Sequence, residues 1–188
     1  MQTKRKTSKT QENTESRGRK RARDNSTDKV KMEDDHQDEL QINIPTSLKK
    51  ILVDDWESFS KEQQEVQLPA KITVTDILER YIQEKERSDG HDEILEQTIE
   101  GLKLYFNHSL RTMLLYRSER NQYFDLQNSH TDKLPTDLYG GIHLLRLFVE
   151  LPILMNGINI DDETLESLRA TFMDILLYIQ DNEKDFFI

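Results

Sequence analysis

The sequence predicts an all-α protein: a compact bundle of five to six helices built from helical hairpins, led by a short strand and a disordered basic tail. Three observations carry that reading. From Ile42 onward, apolar residues recur mainly at spacings of three and four, as on a helix face. Only Leu40-Gln41-Ile42-Asn43-Ile44-Pro45 alternates apolar and polar residues as a strand does, and proline stops it. Several helical runs are preceded by a Ser, Thr or Asp able to cap them, and no internal repeat is present.

The tail comes first. Apart from Met1, Ala22, Val30, Met32 and Leu40, residues 1–41 hold no aliphatic side chain, and they hold no aromatic one. Such a stretch cannot bury enough surface to offset an ordering cost of about 1–2 kcal/mol per residue. Residues 1–39 are therefore expected to be disordered and residues 40–188 to form the folded domain. Residues 1–30 carry ten Lys/Arg against four Asp/Glu, whereas the other 158 carry sixteen against thirty-two. A basic arm on an acidic body points to the arm as the part that meets nucleic acid or a transport receptor. Lys4, Arg5 and Lys6, then Arg19, Lys20, Arg21 and Arg23 after a twelve-residue spacer, resemble a bipartite nuclear localisation signal. The alternative is an arm that touches DNA or RNA phosphates without sequence preference.

The elements follow in order. Thr46 or Ser47 caps a helix with Leu48, Ile51, Leu52 and Phe59 along one side, and Val53 and Trp56 beside that stripe. Leu68 is extended because proline follows it. Thr73 and Asp76 have capping-box spacing ahead of Val74, Ile77, Leu78, Tyr81 and Ile82. The longest helix is expected from Asp92 to Tyr116, with Ile94 or Leu95, Ile99, Leu102, Phe106, Leu110 and Met113 inside. A shorter helix spans Glu119 to Gln127, and an apolar one spans 138–155 with a bend at Pro152. Asn156-Gly157 ends it, and Asp161 or Asp162 opens the last helix, whose inner face is Leu165, Leu168, Phe172, Ile175, Leu176 and Ile179.

Composition removes several kinds of chemistry. With no cysteine there is no disulfide, thiolate metal site or thiol nucleophile. No apolar run approaches the roughly 18 residues of a membrane span, and no signal-peptide core is present, so a soluble intracellular protein is expected. His36, His91, His108, His130 and His143 fall into no tight ligand spacing. Asp54-Asp55 and Asp161-Asp162 read as acidic residues complementing helix dipoles. Nucleophile-elbow, phosphate-loop and dinucleotide motifs are missing. No enzyme activity, cofactor or metal is expected.

Two runs remain, Leu114–Tyr123 and Leu138–Leu147. Both are too apolar for ordinary surface and too rich in Tyr, Arg, Glu and His for ordinary core. Buried charges are costly unless paired, so Glu119, Arg120, His143 and Arg146 either satisfy one another or line a partly open groove. An apolar helix face with a few oriented polar groups suits the docking of another protein.

These residues also carry a resemblance. Leu52-Val53-Asp54-Asp55-Trp56, Leu68-Pro69-Ala70, Leu102-Lys103-Leu104-Tyr105-Phe106, Leu114-Leu115-Tyr116-Arg117 with Glu119-Arg120 and Gln122-Tyr123, and Tyr139-Gly140 with His143-Leu144-Leu145-Arg146-Leu147 occur in that order. Together, over roughly residues 40–188, they resemble the MRG (mortality-factor-related) domain of chromatin proteins. The resemblance implies a non-catalytic nuclear adaptor. Such domains recruit subunits of histone acetyltransferase and histone deacetylase complexes in transcription regulation and DNA repair. Their partners insert Phe-x-Leu-Pro-type segments into apolar grooves. Carried over by motif, the peptide-binding groove comprises Ile44, Val53 and Trp56, then Tyr116, Glu119 and Arg120, then His143, Leu144 and Leu147. Longer members carry a chromodomain that reads methylated lysine, which this resemblance does not include, and members usually continue past the position of Ile188. Gly141 stands where the family favours alanine, at an expected cost of up to ~1 kcal/mol inside a helix.

Overall fold

The computed structural model describes residues 40–62 and 66–187. The proposed localisation residues Lys4, Arg5, Lys6, Arg19, Lys20, Arg21 and Arg23, and the tail expected to be disordered, lie outside them. Among the described residues seven α-helices follow one another: α1 (Thr46–Glu62), α2 (Val74–Asp89), α3 (Glu93–Ser109), α4 (Glu119–Ser129), α5 (Gly141–Met155), α6 (Asp162–Asp181) and the single-turn α7 (Glu183–Phe186). A π turn (Leu110–Leu114) extends α3, and a 3-10 turn (Pro135–Asp137) precedes α5.

α5 organises the core because it is apolar almost all round. Leu144, Leu145, Leu147, Phe148 and Leu151 are all fully buried, and α1, α2, α3 and the π turn pack around them. Truncating any one to alanine is a change of the kind that costs ~2–5 kcal/mol in a core. α2 starts where the capping-box spacing places it: the Thr73 side chain accepts from the Asp76 N–H, and Asp76 accepts from the Thr73 N–H. Asp161 caps α6 by accepting from the Thr164 N–H at 2.9 Å.

Three expectations need correction. Leu40–Pro45 forms no strand, because among the described residues no strand lies beside it to take its backbone hydrogen bonds. It runs extended instead, burying Leu40 and half-burying Ile42 and Ile44 against the core. Among the described residues the single bridge is Thr73 with Gly140. There, a Cβ on Gly140 would lie 2.9 Å from the Ile72 carbonyl oxygen, so only glycine permits the approach.

The helix expected from Asp92 to Tyr116 is α-helical only to Ser109, and α6, at 20 residues, is longer. At the π turn the Leu115 N–H bonds to the Leu110 carbonyl at 3.1 Å, one residue further back than in an α-helix. The inserted residue shifts the register, so Leu114 and Leu115 are buried and Met113 is left 36% exposed. At the other end Leu95 faces inward and Ile94 is exposed. Finally, α5 begins at Gly141 rather than 138, since the 3-10 turn and the Gly140 bridge hold Leu138 and Tyr139 in a buried link.

Candidate docking site

α5 carries two polar side chains into the core, His143 and Arg146, one turn apart. Arg146 is 6% exposed and His143 fully buried. A buried guanidinium is tolerated only when its donors are occupied, and three other elements supply acceptors. Asp55 of α1 receives Nε at 3.0 Å and Nη2 at 2.8 Å. Glu119, the first residue of α4, receives Nη1 at 2.7 Å. The Leu114 carbonyl, at the end of the π turn, receives Nη1 at 2.9 Å. The Tyr116 ring covers the guanidinium, with its centroid 3.9 Å from Cζ, and Phe59 of α1 stacks on that ring at 4.4 Å. The Tyr116 hydroxyl donates to Asp55 at 3.0 Å, and its backbone N–H donates to Glu119 at 2.7 Å.

Arg146 is thus a clasp joining α1, the π turn, α4 and α5. Burial alone would raise the Glu119 pKa, but the nearby His143 ring and the hydrogen bonds from Arg146 outweigh it and bring the carboxyl to about 2. Burial pushes His143 below the ordinary imidazole range, and the Arg146 charge pushes the same way. A neutral ring therefore sits with Nε2 3.5 Å from Glu119 and its edge against Tyr139. Burial raises the Tyr116 phenol to about 12, which keeps its proton available to Asp55.

The residues assigned to the groove fall into three groups. Val53 and Trp56 stand on the surface of α1, 54% and 56% exposed, with Ile44 half-buried ahead of that helix. Glu119 and His143 belong to the buried clasp, and half-buried Tyr116 covers it. Leu144 and Leu147 are 0% exposed. They are core residues, because α5 is enclosed by its neighbours and presents that face to none but them. Arg120 stays outside the clasp. It is exposed, and its guanidinium donates at 3.4 Å to the Thr112 carbonyl.

Asp55 and Phe59 were not singled out for this site. Asp55 sits mid-helix, where the dipole reading does not apply, and its partner lies 91 residues away. Its position held a signal nonetheless: Leu48, Ile51, Leu52, Asp55 and Phe59 share one helical stripe, so an acid occupies a core-facing position. Val149 and Ile153, three and seven residues beyond Arg146 on α5, are also exposed at 46% and 66%.

Two other features stand elsewhere. A concavity of about 280 Å³ lies among α3, α5 and α6, lined by Ile94, Gly101, Tyr105, Met155, Leu168 and Phe172 among others. At the α2–α3 turn, His91 Nδ1 is 3.4 Å from both Glu86 and Glu96, all three side chains being substantially exposed.

Known proteins provide the comparison. The sequence pattern of the MRG family matches residues 19–188. The chain is 40% identical over 167 residues to the chromatin modification-related protein EAF3 of Yarrowia lipolytica, covering 85% of this chain and 43% of the relative. It is 39% identical over 150 residues to the protein MRG1 of Arabidopsis thaliana, covering 79% and 46% respectively. It is 40% identical over 149 residues to the NuA4 complex subunit EAF3 homologue of Dictyostelium discoideum, covering 79% and 38%. The chain therefore spans about half the length of these relatives or less. With a helical fold built round the buried arginine clasp, and with this match over most of its length, the chain belongs to the MRG family.

Proposed function

We propose that this chain is a non-catalytic nuclear adaptor that captures short segments of partner proteins on the α1 surface around Val53 and Trp56. The observation that carries the reading is the position of Trp56. A tryptophan 56% exposed beside a valine 54% exposed is a loss for folding alone, and large apolar anchors of this kind dominate protein interfaces. The clasp immobilises the wall behind them: Asp55 precedes Trp56 on α1, and Phe59 lies one turn on. A rigid base limits the conformational entropy that docking must offset.

The partners on this reading are subunits of histone acetyltransferase and deacetylase complexes bearing Phe-x-Leu-Pro-type segments, in transcription regulation and DNA repair. Relatives named as chromatin modification-related proteins and as a NuA4 complex subunit homologue support this direction. A second reading, nucleic-acid binding through the tail, draws on the ten Lys/Arg among residues 1–30. It predicts affinity that falls steeply with salt and vanishes when that tail is removed.

The test is a pull-down from nuclear extract with the full chain, comparing wild type with Trp56→Ala. Retention of acetyltransferase or deacetylase subunits by wild type alone is the expected result. Equal retention by both proteins would remove Trp56 from the site and the groove reading with it.

A further inference from the structure

One stretch of this acidic chain presents no exposed carboxylate. Between Glu100 and Asp125 the only acid is Glu119, which is 3% exposed and bonded to Arg146. The same stretch holds Arg111, Arg117 and Arg120, all exposed. No described carboxylate pairs with any of these three, whereas Lys85, Lys103 and Arg169 each have an acidic partner.

The fold brings Arg111 and Arg120 together, and Arg117 stands exposed in the turn between their elements. Arg111 Cζ lies 5.2 Å from the centroid of Phe124, which is itself 48% exposed. Arg120, one turn before Phe124 on α4, reaches the carbonyl of Thr112, the neighbour of Arg111. Like charges gathered without counter-charges repel one another, and an anionic partner relieves that repulsion. The face also adjoins the docking surface. Glu119 and Tyr116, the neighbours of Arg120 and Arg117, are both tied through the clasp to α1 at Asp55, beside Trp56.

We propose that Arg111, Arg117 and Arg120 receive acidic residues flanking the apolar anchor of the docked segment, so that the site selects partner peptides with an acidic flank. The inference rests on the peptide-docking reading and adds its charge specificity. A peptide fits better than a nucleic acid. A long polyanion crossing this surface meets a body whose residues 31–188 carry sixteen more acidic than basic side chains, while a peptide confines its charge to a few residues.

Fluorescence anisotropy with the full chain tests the proposal. The probes are three labelled synthetic peptides sharing one Phe-x-Leu-Pro core, flanked on both sides by Gly-Ser, by glutamates or by lysines, together with a short DNA duplex. At low salt the Glu-flanked peptide is expected to bind about tenfold more tightly than the Gly-Ser one, and the Lys-flanked peptide more weakly. The combined variant Arg111→Glu, Arg117→Glu, Arg120→Glu should reverse that order with an unchanged circular dichroism spectrum, and Trp56→Ala should weaken all three peptides. Equal binding of the Glu- and Gly-Ser-flanked peptides overturns the charge selection and leaves the groove standing. Failure of every peptide overturns both. An order that survives the triple reversal, or arginine-dependent binding of DNA in preference to the peptides, overturns the assignment of this face to acidic peptide flanks.

Discussion

His143 is the one fully buried histidine of the described residues, and its chemistry ties folding to pH. Burial and the Arg146 charge hold it neutral in the folded protein, whereas unfolding releases it to titrate normally near pH 6.5. The unfolded chain therefore binds more protons as pH falls through that value, and stability falls with it. Glu119, depressed to about 2, contributes in the same direction but only below the ordinary carboxylate range. Urea unfolding at pH 7.5 and 5.5 should show wild type losing stability, by no more than the ~1.4 kcal/mol per pH unit that one proton allows. His143→Gln, whose amide does not titrate, should lose much less over that interval. An equal loss in both proteins would assign the dependence to other groups. The clasp itself is weak evidence of net stability, because desolvating Arg146, Glu119 and Asp55 offsets much of their attraction. Its clearer effect is geometric, since four elements are held to one guanidinium.

Two glycines show how helices here serve different ends. Gly141 opens α5 against the C-terminal turn: a Cβ there would lie 3.0 Å from the Phe187 ring and 3.3 Å from the Phe186 carbonyl oxygen. A side chain at this position would need the Phe187 ring to give by a few tenths of an ångström, a packing constraint set against the expected propensity cost of glycine. Gly101 lies inside α3, on the wall of the α3–α5–α6 concavity, and a Cβ there would meet nothing within 4 Å. Gly101→Ala is therefore expected to raise unfolding stability by about 0.5–1 kcal/mol. Gly141→Ala is expected to lower it by ~1 kcal/mol or more. Thermal or urea melts of the two single variants decide the matter, and stabilisation by Gly141→Ala would contradict the close packing of Phe187.

For the molecule as a whole, the division between support and anchor is what folding and docking share. Trp56 touches the solvent and Tyr116 lies between Phe59, Asp55 and Arg146. Trp56→Ala should leave urea stability within about 0.5 kcal/mol of wild type while removing partner binding. Tyr116→Ala should cost ~2–3 kcal/mol of stability, because it strips the cover from a buried ion cluster. Comparable destabilisation by both would mean that Trp56 is core in solution and that the docking surface lies elsewhere.

Local signals were enough for most of the elements. Periodic apolar residues, the Thr73–Asp76 box, the Asp161 cap and the Asn156-Gly157 break act between residues a few positions apart, so the order of helices was legible without coordinates. The same locality explains the misses. Whether Leu40–Pro45 pairs as a strand depends on a neighbour, and the π turn at Leu110–Leu114 depends on which leucines the surrounding helices can bury. The candidate site divides in the same way. By itself the sequence determined that Glu119, Arg120, His143 and Arg146 either satisfy one another or line a partly open groove, because buried charge is costly unless paired. Only the tertiary structure decided that Asp55 completes the cluster across 91 residues, that Leu144 and Leu147 belong to the core, and that Val53 and Trp56 remain outside it. A helix face is written in the sequence, but what lies opposite that face is set by the packing of the whole chain.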